Sequence, residues 1–349
     1  MRSKIRNRFV WMVAAWGVAV SAAMGRAQDA CCFDIPCRLL DPLGQDPLWT
    51  GRTDALLLWR DAPQSAPLFD FINPDFDPVG VAMNASDFQS GMAAGPRFAL
   101  FRHTGDMGAI EFNFLRVQSF RATESLPLVD DGVGYADTQP HGLYCCDTLY
   151  PRASASGVLS SSLQSAEVNR RFPTDGRLGW LMGFRWVEWN DALGLTSLTT
   201  YDVDPSYTND YFTQTRNDLY GLQVGADSIL YGLGRSFRVE GIGKAGVYYN
   251  DARQSSSFTT GQTGESLAVS TATGRAAFVG EVGLTGVYDI TERISVRAGY
   301  AIFWLGGLAL APAQYGVNTL CPNDPIKGAT DTGGSVVVQG LSLGLEGRW

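Results

Sequence analysis

The chain has 349 residues, 45% of them hydrophobic and 18% charged, with a mean hydropathy of -0.04 and 40 glycines. So apolar a chain is not disordered, and no apolar run beyond the first thirty residues approaches the ~18 that a spanning helix needs, which excludes a helical membrane protein. Its 35 acidic against 27 basic residues, a formal charge of -8, disfavour nucleic acid, whose phosphates demand basic surface.

In chain order, Arg2, Lys4, Arg6 and Arg8 precede an apolar stretch from Phe9 to about Met24. Gly25-Arg26-Ala27 follows, with small residues where a signal peptidase reads, so residues 1–27 are expected to be a cleaved export signal. Removing them leaves 22 basic against 35 acidic residues, a balance of -13. A periplasmic segment, 28–48, is expected next and carries Cys31, Cys32 and Cys37, while Cys145 and Cys146 lie mid-chain and Cys321 near the end. An exported chain meets an oxidising compartment, so structural disulfides are expected. None of the cysteines has zinc-knuckle spacing and the chain has two histidines, so neither a metal nor a cofactor is expected.

From residue 49 onward the period is two. Less regular candidates at 52–60 and 92–103 lead to Ile110, Phe112 and Phe114, which oppose Glu111 and Asn113; another irregular candidate covers 162–172. Trp180, Met182, Phe184 and Trp186 oppose Arg185, and Tyr220, Leu222, Val224 and Ala226 oppose Gln223 and Asp227. Phe237, Val239, Val247 and Tyr249 oppose Arg238, Glu240 and Lys244; Phe278, Val282, Leu284 and Tyr288 oppose Glu281. Ile294, Val296, Ala298, Tyr300, Ile302 and Trp304 alternate with a polar or small set, and Val337, Leu341, Leu343, Leu345 and Trp349 close the chain opposite Ser342, Gly344, Glu346 and Arg348.

These ten segments are joined alternately by tight Gly/Asp/Pro turns, near 103–106, 173–176, 232–234 and 289–292, and by connections expected to exceed twenty residues each, at 61–91, 120–161, 191–215, 251–273 and 307–335. Alternating short and long connections are the plan of a transmembrane barrel with short periplasmic turns and long extracellular loops. In hydrocarbon every backbone amide must be paired, so an antiparallel sheet crosses a bilayer only when closed. The fold expected over 49–349 is therefore an all-β, transmembrane, antiparallel up-and-down β-barrel of about ten strands, within a range of roughly eight to twelve. Trp59, Trp180, Trp186, Trp304 and Trp349 near strand ends suit the aromatic girdles of such a barrel.

The run Arg297-Ala298-Gly299-Tyr300-Ala301-Ile302-Phe303-Trp304-Leu305-Gly306-Gly307-Leu308-Ala309-Leu310-Ala311-Pro312-Ala313-Gln314, with Trp180–Trp186 and Asn217–Asp227, resembles the putative beta-barrel porin-7 family of outer-membrane proteins. The resemblance runs from about Trp49 to Trp349. It implies a barrel fold and an outer-membrane location, and it brings no catalytic residues.

Gly241-Ile242-Gly243-Lys244-Ala245-Gly246 spells a dinucleotide fingerprint, but strand parity continues into Val247 and Tyr249 where a helix should start, so close packing in a curved sheet is the better reading. His103 falls at a short turn and His141 in a long loop, each without an identifiable catalytic partner. Acidic clusters at Asp70, Asp75 and Asp77 and at Asp202, Asp204 and Asp210 lack calcium-loop spacing. The face opposite the apolar strip carries Glu111, Glu167, Arg185, Arg238, Glu240, Lys244, Glu281, Arg297, Glu346 and Arg348. Such charges either line an aqueous pore or pair into a plug, because a lone ion in low dielectric is expensive. Ten strands are few, which favours a narrow or occluded lumen.

Topology assigns Cys31, Cys32 and Cys37 to the periplasm and Cys145, Cys146 and Cys321 to the surface, so one bridge is expected within the first group and one from Cys321 to Cys145 or Cys146. The partners expected are the lipid bilayer, the barrel-insertion machinery through the C-terminal Trp349, and small solutes at most. A non-catalytic porin-like or structural barrel is the first expectation; an adhesive barrel with a closed lumen is the second, an outer-membrane hydrolase the third and a soluble secreted β-protein the fourth.

Overall fold

A computed structural model describes residues 48–73, 77–105, 108–128, 134–137, 152–172, 178–199, 207–233, 236–318, 320 and 325–349. The export signal, nearly all of the 28–48 segment, the six cysteines, His141, Asp75, Asp202 and Asp204 lie outside these residues.

The strands are β1 (Trp49–Arg60), β2 (Pro67–Ile72), β3 (Pro78–Asn84), β4 (Ala93–His103), β5 (Ala109–Leu126), β6 (Gly134–Asp137), β7 (Arg152–Phe172), β8 (Leu178–Thr199), β9 (Tyr207–Leu233), β10 (Phe237–Thr260), β11 (Ser266–Asp289), β12 (Ile294–Leu308) and β13 (Gly334–Arg348); one short helix, α1 (Ala311–Tyr315), precedes β13. Ten of the strands, β1, β4, β5 and β7 to β13, form a closed antiparallel ring. Its seam joins β1 to β13 from Thr50 opposite Arg348 to Arg60 opposite Val338. Trp49 and Trp349 exchange backbone hydrogen bonds, 2.9 Å from Trp49 N to Trp349 O and 3.0 Å from Trp349 N to Trp49 O, at one end of that seam. Each ring strand is laddered to a neighbour on both sides over part of its length, which is what hydrocarbon requires of the part it surrounds.

The outer face follows the sequence period. Phe98, Phe112, Trp180, Met182, Leu222, Val247, Leu284, Leu343 and Trp349 are all exposed, as a lipid-facing band must be. G-x-G-x-x-G lies wholly within β10.

Two connections differ from expectation. Most of 191–215 and 251–273 is strand, because β8 pairs with β9 out to Thr199 opposite Tyr207 and β10 with β11 out to Thr259 opposite Ser266. Similarly, 120–126 belongs to β5 and 152–161 to β7. These segments are rich in Ser, Thr, Asn and Gln; with water outside, both faces can be polar and the apolar alternation that marks a strand disappears, although the ladder continues. Within 61–91, β2 pairs with β3 and β6, and β6 reaches β7 through Tyr135 opposite Arg152.

Candidate functional site: the barrel interior

The inward-facing residues fall into two halves. On β1 the inward column reads Thr50, Arg52, Asp54, Leu56, Leu58, Arg60 along the strand from its Trp49 end, so the polar part gives way to an apolar one.

In the half nearest Trp49 and Trp349, Glu346 is the hub. It forms an ion pair with Arg52, whose Nε lies 2.7 Å away, and accepts from Arg297 Nη1 at 2.7 Å, Arg348 Nη2 at 2.7 Å and Arg238 Nη2 at 3.0 Å. Glu240 pairs with Arg238 at 2.7 Å and Arg297 at 3.3 Å, and Asp289 with Arg238 at 3.0 Å. One level further in, Arg185 meets Glu281 at 2.8 Å, Lys244 meets Glu167, and Gln223 donates to the same Glu167 and to Asn169. Glu111 accepts from Arg171 at 2.8 Å, and Arg171 also reaches Asp227 at 2.6 Å. Arg97 links Asp54 at 3.0 Å to Glu281 at 3.7 Å.

All ten charged residues expected on this face are therefore brought together inside the ring, each with an opposite charge. Sequence reasoning missed Arg52, Asp54, Arg97, Arg171, Asp227 and Asp289 as members. Arg52, Asp54 and Arg97 sit on the two irregular strands β1 and β4, where both faces carry apolar residues; Asp227 had the right parity but was not counted as a member. The networks hold eight cations against eight carboxylates among the described residues. That balance is what lets buried charges persist, since an unpaired one would cost several kcal/mol.

Glycine makes the networks continuous at one point. Gly344 on β13 stands opposite both Asp54 and Arg297, and a Cβ there would collide with the Asp54 carboxylate and the Thr53 carbonyl.

Above this level the interior is apolar, contrary to the expected polar face. Leu56, Leu58, Leu163, Val187, Trp189, Leu219, Phe303, Leu305 and Val338 are at most 1% exposed and form one cluster across the ring. Over it the chain folds back into the ring. Gly307, at a φ of +82°, takes the bend that ends β12, a conformation open mainly to glycine. The amide Nδ2 of Asn250 donates to Gly307 O at 2.9 Å, and Asn217 pairs with Ala309. Asp191 accepts from the Ala311 N–H at 3.0 Å while its other oxygen holds the fully buried Arg60 at 2.7 Å.

The segment ends in a second apolar core. Tyr315 packs edge-on to Tyr211 with centroids 4.8 Å apart, and Leu68, Phe69, Met83 and Phe88, from the β2–β3 region, join Leu159, Leu193 and Phe258 around it. His103 ends β4, and its Nε2 lies 2.9 Å from Thr50 Oγ1 near the Trp49/Trp349 end of the ring. Among the described residues no cluster of His, Cys, Asp and Glu has a metal-holding arrangement.

A closed ten-stranded antiparallel ring with an apolar outer wall and a charge-balanced interior is a β-barrel of the outer-membrane type. The chain belongs to the family described as Putative beta barrel porin-7 (BBP7), whose pattern matches residues 152–349. Among solved structures it is similar to the outer membrane protease OmpT from Escherichia coli, at a TM-score of 0.50 and 10% identity over 86% of this chain and 96% of that one. It also aligns with the translocator domain of the autotransporter NalP from Neisseria meningitidis, at a TM-score of 0.35 and 7% identity over 86% and 88%. The Pseudomonas putida toluene transporter TodX aligns at a TM-score of 0.21 and 9% identity over 88% and 90%. At such identity the OmpT likeness is one of fold alone. No curated protein matches the chain.

Proposed function

We propose that the protein resides in the outer membrane as a closed, non-catalytic barrel that passes no solute in this state and acts through its extracellular surface. The observation that carries this reading is the apolar layer around Trp189, sealed from above by the returning segment 309–318. A hydrated ion entering it would lose its water among apolar side chains, where the polar groups present, such as Arg60 and Asp191, are already paired with each other. The long β8–β9 and β10–β11 extensions and the β2–β3–β6 sheet support the reading, since they run on beyond the apolar outer wall. In this reading the lipid bilayer is the main partner, and the β13 strand ending in the exposed Trp349 is what the barrel-insertion machinery reads.

Planar-bilayer recording of purified, refolded protein tests this. The expected trace has no steady unitary current; a reproducible ohmic conductance would replace the proposal with passive, porin-like passage of small solutes, the use that the family's description supports.

A further inference from the structure

Just above the lipid-facing band, a trough of about 880 Å³ runs around the outside of the barrel across β5 and β7 to β11. It follows one row of the ladder: Ser161 stands opposite Asp191, Asp191 opposite Thr215, Thr215 opposite Gln254, and Gln254 opposite Thr271. These residues turn inward, so the trough is lined by their outward neighbours. Its floor is small, with Ser160, Ala192, Ser255 and Ser270; Asn190 and Gln214 add amides. Arg216 and Arg253 stand on its membrane-side rim, with side chains 54% and 63% exposed.

Height and chemistry identify the occupant. Trp186, Tyr220 and Tyr249 form a single aromatic row on the same strands, the level at which such rings sit in the bilayer interface. Thr215 lies five residues further out along β9, roughly 17 Å of strand, or about 12 Å along the membrane normal at a tilt near 45°. That is beyond the ~5–8 Å of a phospholipid headgroup layer on one side. Arg216 is already paired with Glu188 and Asp218 at 2.7 Å each, and Arg253 with Asp251 at 2.7 Å. The row therefore has no surplus positive charge for a bare phosphate, but it keeps spare N–H donors, since a guanidinium carries five, beside hydroxyls and amides that both donate and accept.

We propose that this trough binds the sugar headgroup of an outer-leaflet glycolipid, whose acyl chains lie against the aromatic row below. Continuity with the lipid-facing wall argues for a lipid-anchored sugar. The inference rests on the orientation of the barrel in the bilayer and not on whether its lumen is closed.

The test compares wild type with Ala192→Trp/Ser255→Trp, which fills the trough, and with Arg216→Gln/Arg253→Gln, which leaves its shape. Each is refolded in detergent, checked for heat-modifiable gel migration, and titrated with lipopolysaccharide of truncated sugar core and, separately, with phosphatidylglycerol. Wild type is expected to prefer the lipopolysaccharide, with free core oligosaccharide competing, and the filled variant to bind it at least roughly tenfold more weakly. The arginine variant, expected to lose roughly three- to tenfold, carries the comparison if the filled one does not fold. Equal binding by wild type and the folded variants, or equal affinity for phosphatidylglycerol, overturns the proposal. Planar-bilayer current is unaffected by either result, so failure here is distinct from failure of the closed-lumen reading.

Discussion

The side-chain amide of Asn217 pairs with the backbone of Ala309 in both directions: Nδ2 donates to Ala309 O at 2.8 Å, and Oδ1 accepts from the Ala309 N–H at 2.7 Å. A strand residue thereby supplies a ladder partner to a chain that has left the sheet and entered an apolar interior, where an unpaired backbone group is costly.

Asn217→Leu removes both bonds, together with those from Asn217 Nδ2 to Trp189 O and from Asn250 Nδ2 to Asn217 Oδ1, and leaves the two backbone groups of Ala309 unsatisfied. A loss of about 2–4 kcal/mol is expected in urea unfolding from detergent. Bursts of current in planar bilayers should accompany it, because the returning segment loses its hold on the ring.

Lys244 and Glu167 offer a test of the ionic half. Both are almost fully buried, and they are ion-paired. Lys244→Met alone leaves Glu167 without its closest cation and should cost about 3–5 kcal/mol. Adding Glu167→Gln removes the stranded charge, so the double variant should recover at least half of that loss in the same unfolding assay. An additive double variant would show that the two side chains are not coupled.

Gly344 sets the closure of the ring. In Gly344→Ala the new methyl meets the Thr53 carbonyl and the Asp54 carboxylate across the seam, and the heat-modifiable folded band should be lost or much reduced. Ser342→Ala, on the same face of β13, removes a hydroxyl without adding volume and should keep that band.

The orientation of the barrel also bears on the cysteines. The sequence alone leads to the expectation that Cys145, Cys146 and Cys321 share one side of the membrane, so non-reducing peptide mapping is expected to find Cys321 joined to Cys145 or Cys146. A Cys37–Cys321 peptide would contradict both that pairing and the orientation.

The strands most legible in the sequence were β8 to β13, where an apolar residue at every second position faces lipid and its neighbours do not. β1 was hard to read because Leu56, Leu57, Leu58 and Trp59 are apolar on both faces, lipid being on one side and the Trp189 cluster on the other. The outer halves of β8 to β11 were illegible for the opposite reason: water lies beyond the membrane, and pairs such as Ser255 with Ser270 leave no contrast between faces. Of the interior charges, parity found Glu346 but not Arg52, its partner at 2.7 Å.

Period, turn spacing and composition thus determine that this chain is a barrel of about ten strands, because each is a local consequence of alternating between lipid and a protein interior. What fills the lumen was decided only in three dimensions. Asn217 and Ala309 are 92 positions apart, and Arg60 and Asp191 are 131 apart; no local pattern records that such residues meet. Only when the ring closes do inward leucines from opposite walls touch, and only then does the chain after β12 find an apolar floor to cover.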